Sequence, residues 1–147
     1  MVNPSEIVSS LVSLLKTIPD LVELLGNNSE RIYAYLDIYP QNVNLQKAVH
    51  DMESPSVMVA YQDWGIEGGP IIHHLTIYMR PGTDTSYSDM TLLFVDGVPA
   101  GSPVALINAS IHDDLDLMRI EGRCARQLDS EGVEFWQLDI SLNEKWG

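Results

Sequence analysis

From the N-terminus the apolar positions fall at helical spacing. Ile7, Leu11, Leu14, Leu15, Ile18, Leu21, Val22 and Leu25 form one stripe, with Ser9, Ser13, Lys16, Asp20 and Glu23 opposite. That period predicts a single long amphipathic helix over Ser5–Leu25. Asn3 can cap it, Pro4 suits its first position, and Glu6 stands where a capping-box carboxylate belongs. Pro19 kinks or restarts it, since a proline inside a helix costs about 3 kcal/mol. Gly26 before Asn27-Asn28 ends it.

Downstream the period changes to two. Arg31–Tyr39 alternates as a strand, with Ile32, Ala34, Leu36 and Ile38 on one face and Tyr33, Tyr35 and Tyr39 on the other. Pro40 ends it, and Gln41–Ser54 is a polar connection with room for one short helix. Pro55 introduces a strand over Ser56–Gln62. The glycine-rich Asp63–Pro70 reads as a mobile loop displaying Trp64. Ile71–Arg80 alternates again, placing His73 with Ile71, Leu75, Ile77 and Met79, and His74 with Ile72, Thr76 and Tyr78. A second short helix is expected from Ser86 or Ser88 through Met90, Leu93 and Phe94 to Gly97. A loop follows at Pro99–Pro103, then Val104–Ile111, which fits a strand or a helix and is read as a strand. The chain closes on a β-hairpin, Leu117–Leu128 turning through Asp129–Gly132 into Val133–Leu142. Met118, Ile120, Cys124 and Leu128 share a face of its first strand, and Trp136, Leu138, Ile140 and Leu142 share a face of its second. The expected fold is α+β in one domain over residues 1–147: an N-terminal amphipathic helix packed on a mainly antiparallel twisted sheet, a second short helix and a C-terminal hairpin.

Composition narrows the function classes. With 147 residues, 45% apolar and 20% charged, the chain can bury a core and does not have the profile of a disordered protein. Every apolar stretch is interrupted, so no membrane span is expected, and the N-terminus lacks the basic start of a signal peptide. The single Cys124 precludes an internal disulfide and points to a cytoplasmic assembly site. A net charge of −13 argues against gripping nucleic acid through phosphates. It fits solubility, a basic partner, or a surface past which DNA slides.

No catalytic, cofactor-binding or metal site is expected. His73 and His74 are adjacent and point to opposite faces of a strand, so they cannot grip one ion. The acidic run at Asp113, Asp114 and Asp116, after His112, lacks the glycine and final glutamate of a calcium loop and reads as a solvated patch. Cys124 has an apolar face and no base. No serine elbow or phosphate-cradling loop is present. Arg119, Arg123 and Arg126 gather three of only eight basic residues on one strand. Arg119 and Arg123 share a face with Glu121 between them; they either pair across the hairpin or meet an acidic patch on a neighbouring copy.

The order of these elements resembles that of neck and tail-completion proteins of tailed bacteriophages, the group of tail terminators and head–tail joining proteins. The residues that carry the resemblance are the helix Ser5–Leu25, the Arg31-Ile32-Tyr33 strand and Pro55-Ser56-Val57-Met58-Val59. They continue with Ile71–Met79 ending at Arg80-Pro81, the short helix near Met90–Val95, and the hairpin with Glu134-Phe135-Trp136-Gln137-Leu138. The resemblance implies a non-enzymatic virion protein, made in the host cytoplasm. It would form a homo-oligomeric ring, commonly of about six copies, between tail tube and head-connector proteins. DNA would pass through the ring without specific binding, with Asp113, Asp114 and Asp116 on an acidic channel wall or surface. A ring needs two unlike faces of each subunit to meet, and Trp64 and Ile66 are the candidates for one contact; the alternative is that Trp64 folds back over its own sheet. Other readings are a different tail part (tube or baseplate-proximal subunit), a small metal-assisted enzyme using His73 or His74 with His112–Asp116, or a monomeric binding module with a ligand-accepting sheet face.

Overall fold

The computed structural model describes residues 3–35, 37–38, 42–66, 68–69, 71–80, 82, 117–129 and 131–144, with backbone alone at 20, 42 and 117–126. The N-terminal amphipathic stretch forms two helices, not one: α1 (Pro4–Lys16) and α2 (Pro19–Leu24). Asn3 caps α1, its side-chain oxygen accepting the Ser5 N–H at 2.9 Å. The break falls where Pro19 withholds an N–H and forces the residue before it out of helical geometry. Ile18 is accordingly extended, with φ −89° and ψ 105°. The apolar stripe nevertheless runs through both helices: Ile7, Leu11, Leu15, Ile18, Leu21 and Leu25 are all buried.

The strand expected over 31–39 is much shorter. Ser29–Arg31 is a turn of 3₁₀ helix, capped by the Asn28 side chain on the Glu30 N–H, and β1 is only Ile32–Ala34. Tyr35 still donates to the Val59 carbonyl at 2.8 Å; residues 36 and 39 lie outside the described ones. The connection after it contains α3 (Asn42–His50). β2 (Ser56–Ile66) runs four residues past the expected end. Gln62 is a bulge: Tyr61 faces Leu75, but Asp63 already faces His74. Pairing then resumes through Trp64–His73 to Ile66–Ile71, so the expected loop is mostly the end of a hairpin. Gly68 and Gly69 supply the positive φ its turn needs, at +66° and +110°. β3 (Ile71–Arg80), β4 (Leu117–Leu128) and β5 (Glu134–Glu144) complete a five-stranded sheet in the order β1-β2-β3-β5-β4, antiparallel except for β1–β2.

The sheet is covered on both faces. The α1 and α2 stripe packs on Val57, Val59, Tyr61, Leu75, Ile77, Met79, Trp136, Leu138, Ile140 and Leu142. His73 shares that face, as the alternation of β3 requires, and is fully buried. On the opposite face α3 sets Leu45 and Val49, with Met52 just beyond its end, against Met58, Ala60 and Tyr78. The closing hairpin forms as expected. Its turn is built on Asp129, whose N–H donates to the Val133 carbonyl and whose Oδ1 accepts the N–H groups of Glu131 and Val133. Gly132 takes φ +79° there. A second bulge, at Ile120, shifts the register of β4. The result is an α+β fold: an N-terminal helix followed by a mostly antiparallel sheet. The helix expected between Ser86 and Gly97 and the strand Val104–Ile111 lie outside the described residues.

Candidate functional site

The alternation that sends Leu75, Ile77, Leu138 and Ile140 to the α1 face sends Thr76, Tyr78, Gln137 and Asp139 to the other. α3 covers only one end of this second face. Between helix and sheet lies a cleft of about 580 Å³, within the usual size range of small-ligand sites. Leu45, Val49, Phe135 and Leu128 form its apolar walls, and Gln62, Thr76, Gln137 and Asp139 its polar floor.

The floor is a single hydrogen-bonded array with a fixed direction. An ionised Asp139 only accepts, so Thr76 donates its proton to Asp139 Oδ1 (3.1 Å), and Gln137 turns its amide nitrogen to the same oxygen (3.0 Å). Having spent its proton, Thr76 accepts from Gln62 Nε2 at 3.3 Å, and that nitrogen also reaches the Tyr78 hydroxyl at 3.3 Å. The carbonyl oxygens of Gln62 and Gln137 therefore point away from these bonds. Burial holds the Tyr78 phenol above its ordinary range, so it stays neutral.

One end of the cleft is fastened by charge. His50, at the end of α3, places Nδ1 2.8 Å from Asp129 Oδ2 and Nε2 3.3 Å from Glu131 Oε2. The hydrogen bond to Asp129 comes first among the effects raising the His50 pKa, and the same bond lowers that of Asp129. Beneath them the buried Arg80 donates to the carbonyls of Val49, His50 and Glu134, and lies 3.9 Å from Asp129.

The second candidate surface is the end of the β2–β3 hairpin. Trp64 pairs with His73 and Ile66 with Ile71, so both continue the α1-side face. They remain 41% and 66% exposed. His74 on the opposite face bonds Ser141 at 3.2 Å and lies 3.9 Å from Asp63.

His73 is a satisfied core histidine. Its Nδ1 lies 2.6 Å from the Tyr61 hydroxyl and its Nε2 3.0 Å from Glu144 Oε1, which occupies both ring nitrogens and leaves neither for an ion. Among the described residues no cluster of three or more His, Cys, Asp or Glu is arranged to hold a metal.

The arginines expected at an interface divide. Because of the Ile120 bulge, Arg119 stands opposite Leu142, on the α1 side, whereas Arg123 stands opposite Asp139, on the cleft side. The two therefore do not share a face, and Met118, opposite Asn143, is likewise separated from Cys124, opposite Leu138. Arg126 stands opposite Trp136. Asp113, Asp114 and Asp116 lie outside the described residues. The cleft itself was missed in the sequence. Its signal was the polar set at alternate positions of β3 and β5, together with the Leu45, Val49, Met52 spacing that marks one apolar helix stripe. No helix among the described residues is long and apolar enough to cross a membrane. No protein-family model matches the sequence, and no curated protein matches it significantly.

Proposed function

We propose that this chain is a structural subunit of a tailed-phage virion, a tail terminator or head–tail connector that assembles with copies of itself into a ring at the neck or tail end. The virion assignment is supported by the order of elements in the sequence. The observation that supports assembly is the exposed pair Trp64 and Ile66, an apolar sheet face that continues past the helices covering the rest of it. Apolar groups held out on a rigid hairpin gain about 25 cal/mol for each Å² they bury against a partner. Aromatic anchors of this kind dominate interface energetics. The charge of −13 suits a subunit whose ring encloses DNA without binding it. Neighbouring tail-tube and head-connector proteins are the implied partners, and no catalysis is needed. Electron microscopy of the purified protein tests this reading. Rings that vanish on Trp64→Ala while the subunit stays folded support it; rings unaffected by Trp64→Ala and by Ile66→Ser refute this interface.

The cleft favours a second reading, a binding module that accepts a ligand on its sheet face. Its apolar walls and oriented polar floor are the features such a site needs. Saturable binding of a small molecule, lost on Thr76→Val and retained on Trp64→Ala, would support this reading over the first.

A further inference from the structure

α3 is fastened to the rest of the molecule by two cations of different character. Arg80 is charged at every working pH and ties the last carbonyls of α3 to β5 through Glu134. His50 crosses instead to the β4–β5 turn, and it faces a carboxylate through each ring nitrogen. A carboxylate only accepts, and a neutral imidazole carries a single N–H. Only the imidazolium can donate to Asp129 and Glu131 together. With one proton gone, a nitrogen lone pair faces a carboxylate, and the contact becomes repulsive.

We infer that His50 is a proton-operated clasp. As imidazolium it joins the end of α3 to both carboxylates of the β4–β5 turn, and on losing its proton it can keep only one of them, which loosens the mouth of the cleft. This inference does not depend on the ring or on a ligand. Each partner keeps an anchor of its own, so losing the crossing loosens the turn and the end of α3 without unfolding either. The turn keeps its shape through the Asp129 bonds to the N–H groups of Glu131 and Val133, and α3 keeps its seat through Arg80. Asp51, just beyond α3, joins the two turn carboxylates in favouring the cation. Lys47, one turn back, and Arg80, which shares Asp129, are the nearby charges of the opposite sign, and burial works against the cation. The negative end of the α3 dipole favours it. The raised His50 pKa places release above the ordinary 6.5 of a histidine.

The test is nuclear magnetic resonance of nitrogen-labelled protein from about pH 5 to 9, a range that spans histidine titration. Imidazole shifts report the His50 proton. Amide exchange at Asp51 and Val133, corrected for intrinsic rate, reports the clasp. The expected result is a loss of protection of roughly two- to fivefold as His50 titrates, the range of an exposed ion pair, with α1 amides unaffected. The step should vanish in His50→Gln, and its midpoint should fall in Glu131→Gln, a change at an exposed side chain that leaves the fold intact. A step that persists in His50→Gln, a midpoint unmoved by Glu131→Gln, or titration of His50 without any step would overturn the proposal.

Discussion

Replacing Tyr61 by Phe removes one oxygen from the centre of the protein and leaves its packing volume almost unchanged. That oxygen lies 2.6 Å from His73 Nδ1, and both residues are fully buried. Glu144, as a carboxylate, accepts from Nε2, and a neutral ring with its proton there presents the Nδ1 lone pair to the Tyr61 hydroxyl. In Tyr61→Phe that lone pair is left in an apolar core, away from water. The cost expected is about 1–3 kcal/mol, the penalty of a buried polar atom that loses its partner. At this chain length each kcal/mol lowers Tm by roughly 2–4 °C. Urea unfolding followed by tryptophan fluorescence measures it, with an unchanged slope showing that only stability has moved. In a His73→Leu background the same change should cost far less, because no stranded acceptor remains. A loss below about 0.5 kcal/mol in the wild-type background, or an equal loss in both, would refute the reasoning.

Arg80→Met should cost about 3–5 kcal/mol, since three carbonyls and Asp129 lose a buried cation. Arg80→Lys should recover little of it, because one ammonium cannot span α3 and β5; urea midpoints decide both. Gly132→Ala should cost roughly 1–2 kcal/mol, measured the same way, because its φ of +79° strains any residue with a Cβ. The urea midpoint should also depend on pH in two directions. His50 has a raised pKa, so its contribution is complete below 6.5 and is lost as pH rises through the folded value. Asp129 has a lowered pKa, so its contribution is complete above 3.8 and is lost as pH falls through the folded value. The pair therefore contributes fully between 3.8 and 6.5, and a profile without the upper fall in wild type, or with it in His50→Gln, contradicts the assignment.

Local periodicity carried much of the fold. The 3.6-residue stripe of α1 and α2, the alternation that sets His73 and His74 on opposite faces of β3, and the Asp129–Gly132 turn are all legible. Each depends on a residue's near neighbours in sequence. Pro19 allows either a kink or a restart of the N-terminal helix, and local backbone sterics make it a restart. The two bulges were not legible, since Gln62 and Ile120 carry no mark of the extra residue they insert. Each reverses the face of everything beyond it, which is why Arg119 and Arg123 do not share the face that simple alternation predicts. The cleft was hidden for a different reason. It exists because α3 packs on the sheet and is tied there by Arg80, 30 residues from His50 in sequence, and by Asp129, 79 residues away. Read locally, its floor of Gln62, Thr76, Gln137 and Asp139 is simply the solvent face of alternating strands.

The central claim, that this chain works as an assembling subunit, is tested most directly by its mass in solution, measured by light scattering at low and high salt. The account predicts a closed particle several times the 16.4 kDa subunit, reduced to subunit mass by Trp64→Ala. A species of subunit mass at both salts, indifferent to that substitution, would contradict it.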